Sequence, residues 1–106
     1  MPAFHNDDER AAWTLAESLM EKGRTMMRQA ESALENFIIG KELNRQRCSQ
    51  RGISATDAEI RWSETSHAQK ALSENSFNSA QAMMYYGAAA AHYSRAAYLR
   101  SRGARY

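Results

Sequence analysis

Glu64-Thr65-Ser66-His67 is the stretch where residue type and spacing come closest to a reactive site. On a helix, a glutamate and a histidine three residues apart share a face. Helix bundles present metal ligands at this spacing. An antiparallel neighbour would add Glu35 or Glu42 as a further ligand. Against this stands the commoner role of such residues, as solvated groups on a helix surface. That reading is preferred, so no metal and no cofactor is expected.

The remaining reactive groups are scattered. His92 sits beside Tyr93 in an alanine-rich stretch, where a histidine is expected to bond a neighbour rather than to catalyse. His5 precedes the first helix. The chain has no Ser-His-Asp order, no glycine-rich phosphate loop and no paired-cysteine motif. Cys48 is the only cysteine, so no intrachain disulfide forms. With six methionines, this suits a reducing compartment, and a cytoplasmic location is expected. The acidic, polar N-terminal stretch is unlike a signal peptide. The longest apolar run, residues 82–91, falls short of the roughly 20 residues that a spanning helix needs. No membrane partner is expected.

Basic residues gather at two places: Lys41, Arg45, Arg47 and Arg51, then Arg95, Arg100, Arg102 and Arg105. Arginines so placed would suit phosphates, and a nucleic-acid-binding helical protein is a second alternative. The net charge is only +2, and Asp7, Asp8 and Glu9 would offset the C-terminal group. Cations near helix C-termini also complement the helix dipole without any ligand.

The elements that would carry these groups are helices. The chain is rich in Ala and Met and contains no valine, and its one proline is Pro2. That composition favours helix over strand. Asn6 with Glu9 reads as a capped start, and Gly52 as a stop. Ser54 with Asp57, or Thr56 with Glu59, would cap a second helix ending near Gly103. A single helical domain over residues 1–106 follows, with a helix over 7–51, a turn over 52–56 and a helix over 57–102. The polar segment Ser73–Ser79 is its weak point, where a kink or break would fall.

Trp13, Ala16, Met20, Gly23, Met27, Ala30, Leu34 and Phe37 recur at alternating spacings of three and four, a heptad seam. Within it, Ala16, Gly23 and Ala30 form a ladder of small residues. Ala82, Ala89 and Ala96 form a matching one. The pairs 16 with 96, 23 with 89 and 30 with 82 share one register. The expected fold is therefore all-α, a long antiparallel two-helix hairpin, coiled-coil-like, with close contact along these six positions.

A lone seam buries little, and a chain of this size needs more. A second apolar stripe offers it: Leu15, Leu19, Met26, Ala33, Phe37, Ile38 and Ile39 on the first helix, and Met84, Ala88, Ala91 and Tyr98 on the second. Phe37, Ile38 and Ile39 would face the polar Ser73–Ser79 segment, which leaves them to be covered by another chain. Phe37, Ile38, Ile39, Met84, Ala88, Ala91 and Tyr98 are the expected interaction surface. Two hairpins pairing into a four-helix bundle is the simplest outcome.

The Glu64-x-x-His67 spacing and the two-helix architecture resemble the half-ferritin arrangement of the encapsulated ferritins, whose two-helix subunits dimerise to assemble a di-iron site. The resemblance covers that motif and the general architecture. It implies a metal-binding half-bundle as the first alternative function. No second Glu-x-x-His occurs in the chain, although a symmetric dimer would supply one. Size and hairpin are also similar to the secreted Trp-x-Gly hairpin proteins. Here, however, Trp62 is followed by Ser63-Glu64, and Tyr98 by Leu99-Arg100-Ser101-Arg102, so both motifs of that family are missing. Small Ala-rich helical chains are common among phage-encoded proteins as well. The adopted expectation is a non-enzymatic protein–protein interaction protein, a homodimer that also meets a further, unidentified protein as adaptor, assembly factor or inhibitor.

Overall fold

The computed structural model describes residues 6–103. They form three helices: α1 (Asp7–Gln50), α2 (Ala55–Ser63) and α3 (Ser66–Gly103), with no strand among the described residues. The two long helices, α1 and α3, pack against each other as a hairpin. None of the helices is long and apolar enough to cross a membrane. His5 and Arg105 lie outside the described residues.

Local chemistry accounts for the ends of these helices. The Glu9 N–H donates to Asn6 Oδ1 at 2.7 Å, and Asp7, Asp8 and Glu9 occupy the first turn, where negative charge suits the dipole. At the other end, the Ile53 N–H donates to the Cys48 carbonyl at 2.9 Å and the Gly52 N–H to the Ser49 carbonyl at 3.0 Å. This is a Schellman closure. It needs a left-handed residue at its centre, and Gly52 supplies φ +75°. Ser54 caps α2, its Oγ accepting from the Asp57 N–H at 3.2 Å.

The expected uninterrupted helix over 57–102 is corrected in one respect: it breaks at Glu64-Thr65. Ser63 Oγ donates to the Ile60 carbonyl at 2.8 Å and Thr65 Oγ1 to the Trp62 carbonyl at 2.7 Å. Thr65 Oγ1 then accepts from the Ala68 N–H at 3.1 Å and so caps α3. Hydroxyl side chains that bond nearby backbone compete with the helix ladder in this way. Ser73–Ser79, the expected weak point, stays helical. There Asn75 Nδ2 donates to the Ala30 carbonyl of α1 at 2.8 Å, a tertiary bond that local propensity does not register.

The chain divides into two compact units, and α1 and α3 each contribute to both. One takes the chain through Met26 together with the part from Ala80 onward; the other is Met27–Ser79. In the first, Ala12, Ala16, Ala82, Ala89 and Ala96 are buried, as is Gly23. Trp13 and Tyr93 meet edge to face there, with ring centroids 5.0 Å apart. In the second unit the buried apolar residues are Ala30, Ala33, Cys48, Ala58 and Ala68. Small side chains let helix backbones approach closely, but each removes little area from water.

Candidate functional site

All six ladder positions, Ala16, Gly23, Ala30, Ala82, Ala89 and Ala96, are buried. Gly23 and Ala89, expected to share one register, are both among them. The space over Gly23 is filled by the Tyr86 ring: a Cβ on Gly23 would fall 2.6 Å from Tyr86 Cε1. A large ring is thus received by a residue without a side chain.

The second unit repeats this device. The Trp62 ring lies over Gly40, so that a Cβ there would fall 2.8 Å from Cζ2. The same indole meets Phe37 with centroids 5.7 Å apart. Asn44 Nδ2 donates to the Ala58 carbonyl at 2.9 Å, and Lys41 Nζ reaches Glu59 Oε1 at 2.8 Å. These contacts fasten α2 onto α1. Trp62 Nε1 is shut off from solvent without a hydrogen-bond partner among the described residues.

Phe37, Ile38 and Ile39, expected as one surface facing the polar Ser73–Ser79 segment, stand in different surroundings, and only the groove of Ile39 includes a residue of that segment, Glu74. Phe37 is half-buried and meets Trp62. Ile38 and Ile39 stand about 100° apart around the helix, and each lines a different groove. Ile39 belongs with Leu43, Arg47, Trp62, His67 and Lys70 to a groove of about 590 Å³. Ile38 belongs with Lys41, Glu42 and Arg45 to a groove of about 260 Å³, walled on its other side by Thr56 and Glu59 of α2. Ile38 and Ile39 remain 56% and 50% exposed. In the other unit, Met84 and Tyr98 are exposed, Ala91 is exposed and Ala88 is half-buried. Two assignments to the seams are also corrected: Ala33, placed on the outer stripe, is buried, and Leu34, placed on the inner seam, is 41% exposed.

The Glu-x-x-His spacing does not survive as one helical face. Glu64 is the C-cap residue of α2, whereas His67 stands in the first turn of α3. The break between them removes the helical geometry that the spacing assumed. Glu42 is tied to Arg45, accepting at 3.0 Å from Nε. Among the described residues, no three of His, Cys, Asp and Glu gather closely enough to hold a metal ion.

Electrostatics at these surfaces is local. The Arg45 guanidinium, hydrogen-bonded to Glu42, holds that carboxyl below its usual range. Lys41 does the same for Glu59 through their hydrogen bond. Tyr93 donates its hydroxyl to Glu17 Oε1, which pushes the phenol above its ordinary value, with burial adding to the effect.

Sequence reasoning missed the close contact of Gly40 with Trp62 in the second unit. The available signal was a glycine inside a helical pattern, a costly residue unless something packs against it. In comparisons with known proteins, no family model, curated protein or solved structure matches this chain.

Proposed function

We propose that the protein is a non-enzymatic helical interaction protein, cytoplasmic, which associates with itself and serves as an adaptor, assembly factor or inhibitory binding partner. One observation carries this reading. Among the described residues no large side chain is fully buried, while eleven large apolar side chains are exposed. Among the described residues the buried apolar side chains are nine alanines and Cys48, and every leucine, isoleucine, phenylalanine and methionine is half-buried or exposed. The eleven are 41–67% exposed, so each forgoes a part of the about 1.5–3 kcal/mol that full burial brings. Association of two hairpins into a four-helix bundle would recover part of it.

Light scattering after size exclusion at micromolar concentration is the test. A mass near twice the 12.0 kDa chain, with a melting temperature that rises with protein concentration, is the expected result. A 12.0 kDa species with concentration-independent melting would overturn the proposal.

A further inference from the structure

We infer that the groove lined by Ile39, Leu43 and Trp62 binds a small organic anion, its charged group on Arg47 and its apolar body along the other three side chains. All the residues that line this groove belong to the second unit of one chain. The site therefore goes beyond the self-association proposed above and does not depend on it.

Size and lining fit a small molecule. The groove has a volume of about 590 Å³, within the roughly 300–1,000 Å³ of small-molecule sites. Its α1 side runs from Asn36 to Arg47, about 16 Å of helix. Ile39 and Leu43 are 50% and 48% exposed there, and the half-buried Trp62 of α2 joins them. Sites of this kind combine an apolar lining with a few polar groups that orient the ligand.

Charge selects the class of ligand. In the groove beside Ile38, Lys41 holds Glu59 and Arg45 holds Glu42, so each cation already meets a carboxylate. The groove beside Ile39 is matched differently. Its ionisable residues are Arg47, His67, Lys70 and Glu74. Lys70 stands 3.9 Å from Glu74, and those two charges offset each other. Arg47 and His67 have no hydrogen-bond or ion-pair partner among the described residues. Glu74 is also remote from Arg47. Asn75 bonds the Ala30 carbonyl and Trp62 lies over Gly40, so the two walls run in opposite chain directions. Glu74 thus lies toward the Asn36 end of the groove, with Arg47 at the other end. On α2, Glu59 lines the other groove, and Asp57 and Arg61 line neither. An unmatched guanidinium presents paired donors to a carboxylate, sulfonate or phosphate. The aliphatic stem of Arg47 continues the apolar wall up to that charge. The His67 ring adds an N–H donor in either protonation state.

The test uses the full chain and the dye 8-anilinonaphthalene-1-sulfonate, an aromatic sulfonate whose emission rises when it leaves water. One dye should bind per chain. In a Trp13→Phe background Trp62 is the only tryptophan, and exciting it should light the bound dye. Arg47→Gln should raise the dissociation constant about tenfold, the loss of one charge-assisted contact. Arg45→Gln removes the same charge from the other groove and should leave it within about twofold. N-phenyl-1-naphthylamine, the same ring system without the sulfonate, should bind more weakly and equally well to the original and Arg47→Gln chains. Leu43→Trp, which fills the apolar wall, should weaken both dyes. Circular dichroism and a cooperative melt verify that each variant is folded. The inference is overturned if the sulfonate dye does not bind the folded chain, or binds without energy transfer from Trp62. It is equally overturned if Arg47→Gln and Arg45→Gln act alike, or if Leu43→Trp changes nothing. None of these results bears on self-association, which light scattering decides separately.

Discussion

Three glycines stand inside the helices in different surroundings, and replacing each with alanine separates backbone propensity from packing. A helix-interior Gly→Ala change gains about 0.5–1 kcal/mol from propensity alone. At Gly87 nothing lies within 4 Å of the added methyl, so that gain should appear in full. For a domain of this size it corresponds to a rise in Tm of about 3–6 °C. At Gly23 the methyl would fall 2.6 Å and 2.7 Å from two carbons of the Tyr86 ring. At Gly40 it would fall 2.8 Å and 3.1 Å from Trp62 Cζ2 and Cζ3. Overpacking of this kind costs about 1–3 kcal/mol. Gly23→Ala and Gly40→Ala should therefore lie about 1–3 kcal/mol below Gly87→Ala, with Tm at or below that of the unaltered chain. Gly23→Leu should be worse than Gly23→Ala. Thermal and urea unfolding followed by circular dichroism, at one fixed protein concentration, measures all of these. If Gly23→Ala and Gly40→Ala stabilise as much as Gly87→Ala, the rings move aside freely, and close seating on glycine does not hold the units together.

Trp62→Ala should destabilise by about 3 kcal/mol, the low end for a truncated tryptophan, because the ring is only half-buried; denaturant titration checks it. Asn44→Ala removes the bond to the Ala58 carbonyl, so amides of α2 should exchange with deuterium faster while the middle of α3 keeps its protection. The Tyr93–Glu17 bond gives a pH dependence. The folded phenol is held above the ordinary value of 10.0, so its contribution is fully present below that pH and fades as pH rises through the higher folded value. The stability difference between the chain and its Tyr93→Phe variant should shrink over that alkaline range, and a constant difference would show that the bond contributes nothing.

Helix ends were readable because their chemistry is local. Asn6, Gly52 and Ser54 act on backbone groups within five residues of themselves, and residue type alone implies each cap. The small-residue ladders were readable for a related reason: a seven-residue repeat of Ala and Gly makes sense only on a helix face that something approaches closely. Which residue fills the space over a helix-interior glycine was not readable. Tyr86 over Gly23 and Trp62 over Gly40 depend on the relative rotation and offset of two helices, which is set by all their contacts at once. The break shows the same division. Ser63–Ser66 and Ser73–Ser79 are both rich in residues that compete with the helix ladder, and local propensity favoured the longer segment as the weak point. Asn75 reaches the Ala30 carbonyl and keeps the longer segment helical, while Ser63 and Thr65 turn back on the carbonyls of Ile60 and Trp62. That choice also dissolved the Glu64-x-x-His67 face and divided Phe37, Ile38 and Ile39 among an aromatic contact and two grooves. Caps and periodicity are properties of neighbours in sequence and can be read there; partners forty residues apart are selected by packing, and only the folded chain brings them together.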